Sequence, residues 1–201
     1  MSNNKKLSEE SAAIEEKWDQ IYKNSELTNA SQMLFENSFL LPRQGKALDL
    51  ACGLGANALF LAEQGLETHA WDASSIAINK LHLFALNKNL RIHTKQVIIE
   101  PNTLPKDTFD AIIITRFLDR SLTNAIMESL KPGGLLFYQT YVREKLDPGG
   151  PKNPNYLLAR NELLKLFHPL IVVAYRENSI IGRLECGERN EALFIGQKND
   201  K

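Results

Sequence analysis

Two hydrophobic periods share this chain. Between residue 8 and about 23, Ile14, Trp18, Ile21 and Tyr22 fall at i, i+4, i+7 and i+8, which predicts a helix with one apolar face. A second, short helix is predicted around 30–39, where Met33, Leu34, Phe35 and Phe39 cluster, with Pro42 ending it. From Lys46 the pattern changes to short apolar runs alternating with helical segments. Strands are predicted at 46–51, 67–72, 92–98, 109–115 and 134–140, with helices between them at about 57–65, 74–87 and 120–130. Ser74 and Ser75 offer caps for the second of these helices, and Ser121 for the third. The run FDAIIIT, Phe109 to Thr115, is apolar enough for a strand covered on both faces.

Such alternation predicts a parallel sheet with helices on both faces. After residue 155 the order differs: a helix at about 160–167 (RNELLKLF) precedes two strand-like runs, 170–176 and 191–197. The stretch joining them is rich in Gly and charge and ends in Gly187. Two consecutive strands with no helix between them pair antiparallel. Between Arg143 and Asn155 the sequence REKLDPGGPKNPN, with three prolines and two glycines, excludes regular structure. It follows a strand that ends at the ligand side of the sheet, so it reads as a binding loop or lid, or as a plain connector.

Composition narrows the partners. The 201 residues, 43% hydrophobic, suffice for one sizeable core. Lys plus Arg and Asp plus Glu each number 24, a balance that argues against nucleic acid or an anionic membrane as a bulk electrostatic partner. The opening MSNNKKLSEES lacks the apolar core of a secretory signal, and no apolar run approaches membrane-span length, so a cytoplasmic protein is expected. Cys52 and Cys186 form no C-x-x-C and are expected to be reduced. The histidines, His69, His82, His93 and His168, lie at least 11 positions apart and outside any metal motif, so no metal is expected.

The chemistry gathers at the stretch from Ala47 to Ser74, which reads strand, glycine turn, helix, strand. The turn, Gly53-Leu54-Gly55-Ala56-Asn57-Ala58, fits the loose G-x-G-x-x-G/A pattern of nucleotide sites. Asp72 ends the second strand at the distance expected of an acid that binds two ribose hydroxyls. Asp49, on the first strand, would oppose a pyrophosphate aimed at the following helix, which favours a cationic cofactor without phosphate. Asp49 could equally order the turn through backbone N–H groups.

The run D-L-A-C-G-L-G, Asp49 to Gly55, resembles the first motif of class I S-adenosylmethionine-dependent methyltransferases. Phe109-Asp110 opening strand four, L-K-P-G-G at Leu130 to Gly134 and the closing hairpin extend the resemblance over roughly 45–197. W-D-x-x-Y at Trp18 to Tyr22 and W-D-A-S around Asp72 look most like the tellurite-resistance and thiopurine-like small-molecule branch. The resemblance implies an α/β, Rossmann-like seven-stranded sheet, mostly parallel with a C-terminal antiparallel hairpin. It divides the chain into an N-terminal helical cover, 1–44, and a methyltransferase domain, 45–201. It also implies S-adenosylmethionine as cofactor, with S-adenosylhomocysteine as product.

By the same resemblance Ala51 and Gly53 contact the methionine part, Asp72 the ribose hydroxyls, and Ile98, Ile99 and Glu100 border the adenine. Thr115 lies near the sulfonium, and Asp49, Cys52, Gly55 and Ala73 complete the lining. Two departures stand out: Ala51 replaces the first glycine, a change the strand should absorb, and Val97-Ile98-Ile99-Glu100 lacks the Asp that usually holds adenine. Cys52 otherwise reads as a small packed residue. Arg116, Arg120 and Tyr141 are candidates around the methyl group. An arginine there would suit an anionic acceptor, and pairing of Arg120 with Asp119 or a neighbouring carboxylate on the surface is the alternative. Trp18 and Tyr22 either cover the cofactor or pack the first helix. In-line methyl transfer needs positioning more than a catalytic triad. The expected function is therefore methyl transfer to a small molecule, anionic or a soft nucleophile. The alternatives are an RNA or protein methyltransferase of the same fold, a non-catalytic cofactor-binding module and, last, a nicotinamide-dependent oxidoreductase.

Overall fold

The computed structural model describes residues 2–200. Its helices are α1 (Ser2–Lys23), α2 (Gln32–Glu36), α3 (Ala56–Glu63), α4 (Ser75–Asn87), α5 (Thr123–Ser129) and α6 (Glu162–Leu166). Its strands are β1 (Lys46–Leu50), β2 (Glu67–Asp72), β3 (Ile92–Gln96), β4 (Phe109–Thr115), β5 (Leu130–Tyr141), β6 (Ile171–Arg176) and β7 (Glu191–Gln197). They form a seven-stranded sheet in the order β3-β2-β1-β4-β5-β7-β6. The pairs β1/β2, β2/β3 and β4/β5 are parallel, and β7 runs antiparallel to both β5 and β6. This is the expected mostly parallel sheet closed by a hairpin. Among the described residues no helix is long and apolar enough to cross a membrane.

Several boundaries differ from expectation for local reasons. β1 stops at Leu50 because Ala51 turns left-handed, φ 56°. β3 stops at Gln96, so Ile98 lies in irregular chain. β5 begins earlier, at Leu130, and runs through the Pro-Gly-Gly. The 30–39 segment splits into α2 and a 3₁₀ turn at Ser38–Leu40, burying Met33 and Leu34 but leaving Phe35 and Phe39 exposed. Ser74 caps α4 as expected, its Oγ accepting from Ala77 N at 3.0 Å. Ahead of α5 the cap is Asp119, not Ser121: Asp119 Oδ1 accepts from Ser121 N at 2.9 Å and starts a 3₁₀ turn.

Contacts divide the chain into two compact units. One takes in the segment up to Ser31 together with Arg43–Glu100. Its core joins Ala58 and Leu59 of α3, Ala70 of β2, and Leu81 and Ala85 of α4. On α1 the expected apolar face is corrected, because Ile14 and Ile21 are 40% and 48% exposed. The helix docks on α4 instead through the Asp19 carboxylate and through Lys80. Lys80 Nζ donates to the carbonyls of Tyr22, Lys23 and Ser25 at 2.8–3.0 Å, satisfying acceptors that the end of α1 leaves open.

The other unit comprises Gln32–Pro42 and Pro101–Lys201. Ala111 to Ile114 of β4 are fully buried, as an interior strand requires. Tyr138, Phe167 and Phe194 form a ring cluster with centroids 5.4 and 5.8 Å apart, and Tyr138 Oη donates to Phe117 O at 3.0 Å.

Candidate functional site

The turn after β1 is held by two carboxylates. Asp49 is fully buried, and its Oδ2 accepts from Ala58 N at 3.0 Å, fixing the first turn of α3. Its Oδ1 has no hydrogen-bond partner. Asp72, 5% exposed, accepts from Gly53 N at 2.8 Å through Oδ2 and from Ser74 N at 2.9 Å through Oδ1. Both carboxyls are pushed above the usual range, chiefly by burial, which these donors and, for Asp49, the Asn57 side chain only partly offset; each oxygen pair thus sits in low dielectric. Among the described residues no lysine or arginine bonds to either. So the turn-ordering role of Asp49 is real, yet one buried acceptor is left over.

Gly53 and Gly55 have φ of 52° and 79°, conformations that a side chain makes costly. A Cβ on Gly53 would lie 2.7 Å from Tyr22 Oη, so Tyr22 closes over the turn. Burial beside Asp72, Cys52 and Asp49 pushes the Tyr22 phenol up. Trp18 stacks on Tyr22, centroids 6.0 Å apart. Between them Asp19 reaches the start of α4. Its Oδ1 accepts from Ser74 Oγ at 2.5 Å and Ile76 N at 3.1 Å, and its Oδ2 from Ser75 Oγ at 2.9 Å. Asp19 was not singled out from the sequence, although it is the second residue of W-D-x-x-Y. Cys52 packs against the core, its thiol pushed up by burial, as a packed residue should be. Of the remaining candidates in this unit, Ala73, Ile98 and Ile99 are half-buried and Glu100 is exposed. Val97 N donates to Asp72 O at 2.8 Å, which ties that segment to β2.

In the second unit Thr115 ends β4, half-buried, and Arg116 follows at φ 56°. Arg116 Nε donates to Glu191 Oε1 at 2.8 Å, and Gln139 Nε2 to Glu191 Oε2 at 2.6 Å. The Arg116 guanidinium lies 6.0 Å from the Tyr141 ring centroid. Glu191 and Gln139, both more than nine-tenths buried, gave no sequence signal, because only the β5/β7 pairing brings them to Arg116. Arg120 meets the neighbouring-carboxylate alternative: its fork takes Glu162 at 2.6 and 3.0 Å and the carbonyls of Asn155 and Leu157 at 2.7 and 3.1 Å. That leaves it an anchor for the chain after the Pro/Gly-rich loop. The loop itself is folded on Tyr141: Lys145 Nζ stands 5.8 Å from that ring and donates to Pro151 O at 3.0 Å.

A mostly parallel seven-stranded sheet whose first strand ends in a glycine turn between two buried acids defines a Rossmann-like protein of the class I methyltransferase type. The chain belongs to the tellurite resistance protein TehB family, which it matches over residues 12–192. It is 28% identical over 152 residues to the probable S-adenosyl-L-methionine-dependent methyltransferase TehB of Haemophilus influenzae, covering 72% of this chain and 52% of that protein. It is 26% identical over 176 residues to a ubiquinone biosynthesis O-methyltransferase of Aliivibrio fischeri, covering 77% and 74%. The crystal structure of TehB from Haemophilus influenzae superposes with a TM-score of 0.66 at 22% identity, over 92% of this chain and 67% of that one. The chain thus spans about half the length of the TehB relative it matches.

Proposed function

We propose that this protein transfers a methyl group from S-adenosylmethionine to a small-molecule acceptor. The observation that carries the reading is the pair of buried carboxylates, Asp49 and Asp72, flanking the Gly53 turn without a cationic partner among the described residues. An unpartnered buried acceptor beside a turn with no Cβ fits a cationic ligand that brings its own N–H or O–H donors. S-adenosylmethionine, when bound, supplies an activated methyl group as the electrophile. Asp72 would accept from the ribose hydroxyls, Asp49 would offset positive charge, and the backbone from Ala51 to Gly55 with Ala73 would line the site. Ile98 to Glu100 would border the adenine, and Tyr22 and Trp18 would keep water out. Residues 1–44 would serve as cover to the domain from 45 to 201.

On the acceptor side, Arg116 engages Glu191 through Nε alone, and its terminal nitrogens make no hydrogen bond among the described residues. Free guanidinium donors suit an oxyanion. The family's description names tellurite resistance, and a tellurium oxyanion is both anionic and soft. The zero net charge supports a small acceptor over RNA, and unpaired Cys52 and Cys186 fit a reducing, cytoplasmic setting.

Calorimetric titration with S-adenosylhomocysteine and with NAD is the first test. Binding of the former alone is expected, and tight NAD binding with no response to S-adenosylhomocysteine would overturn the assignment. Asp72→Ala should weaken cofactor binding by about 2–4 kcal/mol, far more than Glu100→Ala, because two hydrogen bonds to a buried carboxylate are lost. Release of S-adenosylhomocysteine is then assayed over a panel of tellurite, selenite, a thiol and a catechol. Arg116→Ala should raise KM for the oxyanions only.

A further inference from the structure

We propose that Glu67, His69 and His93 form a binding site for a divalent first-row transition ion of the Zn²⁺ or Cu²⁺ kind. The site does not rest on the methyltransferase reading, because it lies at the opposite end of β2 from Asp72. His69 and His93 are 24 positions apart, but the parallel register of β2 and β3 places them directly across from each other. Their rings stack with centroids 4.8 Å apart and 20° between planes. Glu67 stands two residues before His69 on the same strand, hence on the same face, with Oε1 3.2 Å from His69 Nε2. One donor atom from each of the three lies within 4.8 Å of the others. Ala70 belongs to the core that α3 and α4 cover, so its neighbour His69 faces the other side of the sheet.

Two imidazoles and one carboxylate make an N₂O donor set suited to Zn²⁺ or Cu²⁺, with water completing the coordination. Tetrahedral coordination at ~2.0–2.1 Å per bond needs donor atoms roughly 3.3 Å apart. Glu67 and His93 are exposed, and rotation of their side chains can supply that closure. Imidazole ligates a metal through an unprotonated ring nitrogen, so binding should weaken as pH falls. Lys46 Nζ, 3.1 Å from Glu67 Oε1, occupies the electrostatic position an ion would take and would be displaced by it. An ion held here would pin the edge strand β3 to β2.

The test is titration of the full chain with Zn²⁺ by calorimetry and with Cu²⁺ by electron paramagnetic resonance. One site per chain is expected, with two-nitrogen coordination of Cu²⁺. His93→Ala and His69→Ala should each weaken Zn²⁺ binding by roughly tenfold or more, at least the loss seen when groups that orient metal ligands are removed. His168→Ala, away on the segment after α6, should change nothing, and Lys46→Ala should tighten binding. Circular dichroism checks that each variant folds, and His93→Gln and Glu67→Gln stand in for any that does not. Unchanged Zn²⁺ affinity in folded His93→Ala or His93→Gln, or an equal loss in His168→Ala, would overturn the site.

Discussion

Asp19→Ala should loosen the first helix and lower stability by about 2 kcal/mol. Asp19 accepts three hydrogen bonds from the start of α4, two from serine hydroxyls and one from Ile76 N. Hydrogen bonds to charged groups contribute about 1.5–3 kcal/mol each when well shielded. Asp19 is only half-buried, so solvent screening takes most of that gain. Asp19 adds to the Ser74 cap by accepting from Ile76 N, and loss of a capping acceptor costs about 0.5–2 kcal/mol, so about 2 is the upper end of that range. For a protein of this size about 2 kcal/mol corresponds to a fall in Tm of roughly 4–8 °C. Urea unfolding followed by tryptophan emission measures it, since Trp18 on α1 and Trp71 on β2 are the two tryptophans. The pH dependence is a second check. Burial works against ionised Asp19, but its hydrogen bonds from Ser74, Ile76 and Ser75 outweigh that and hold its carboxyl below the usual range. A lowered carboxyl stabilises the fold above its unfolded value, near 4, and loses that effect as pH falls through the folded value. The gap between Asp19→Ala and the parent should therefore close toward pH 3. Lys80→Ala releases the other end of the same contact, so the double variant should lose less than the two singles combined. Equal stability of Asp19→Ala and the parent at pH 7, or a gap that does not change with pH, would refute the reasoning.

Three further outcomes follow from the same geometry. Ala51→Gly should stabilise by about 0.5–1 kcal/mol, because relief of a left-handed alanine (about 1–2 kcal/mol) exceeds the added freedom of the unfolded chain (about 0.4–1), and thermal unfolding reads the gain. Asp49→Asn should raise stability at neutral pH while weakening S-adenosylhomocysteine binding. The buried carboxyl has a raised pKa, so its folding contribution is present below about pH 4 and is lost as pH rises through the folded value; urea midpoints from pH 4 to 8 should show that slope flattened in the variant. Glu162→Gln should destabilise by about 1–2 kcal/mol without altering cofactor affinity. Arg120 holds Glu162 below the usual range, so the penalty should fade as pH drops below about 4.

What the sequence determined by itself was whatever neighbours along the chain decide. Periodicity marked every strand of the sheet, β-branched FDAIIIT announced a buried strand, and Ser74 capped α4 because a cap and its N–H are three residues apart. The glycine turn and its two flanking acids were legible for the same reason: strand, turn and helix fix their spacing locally. The exposed Ile14 and Ile21 show the limit of that reading, since the face a helix buries is chosen by its docking partner, here α4. Tertiary structure alone decided that β7 would enter between β5 and β6, which brings Glu191 and Gln139 to Arg116. It also set Arg120 against Glu162 and, through strand register, His69 against His93. Each of those pairs joins residues that are far apart in sequence. Their meeting is specified by burial of whole strands and helices, so no local pattern at either residue records it.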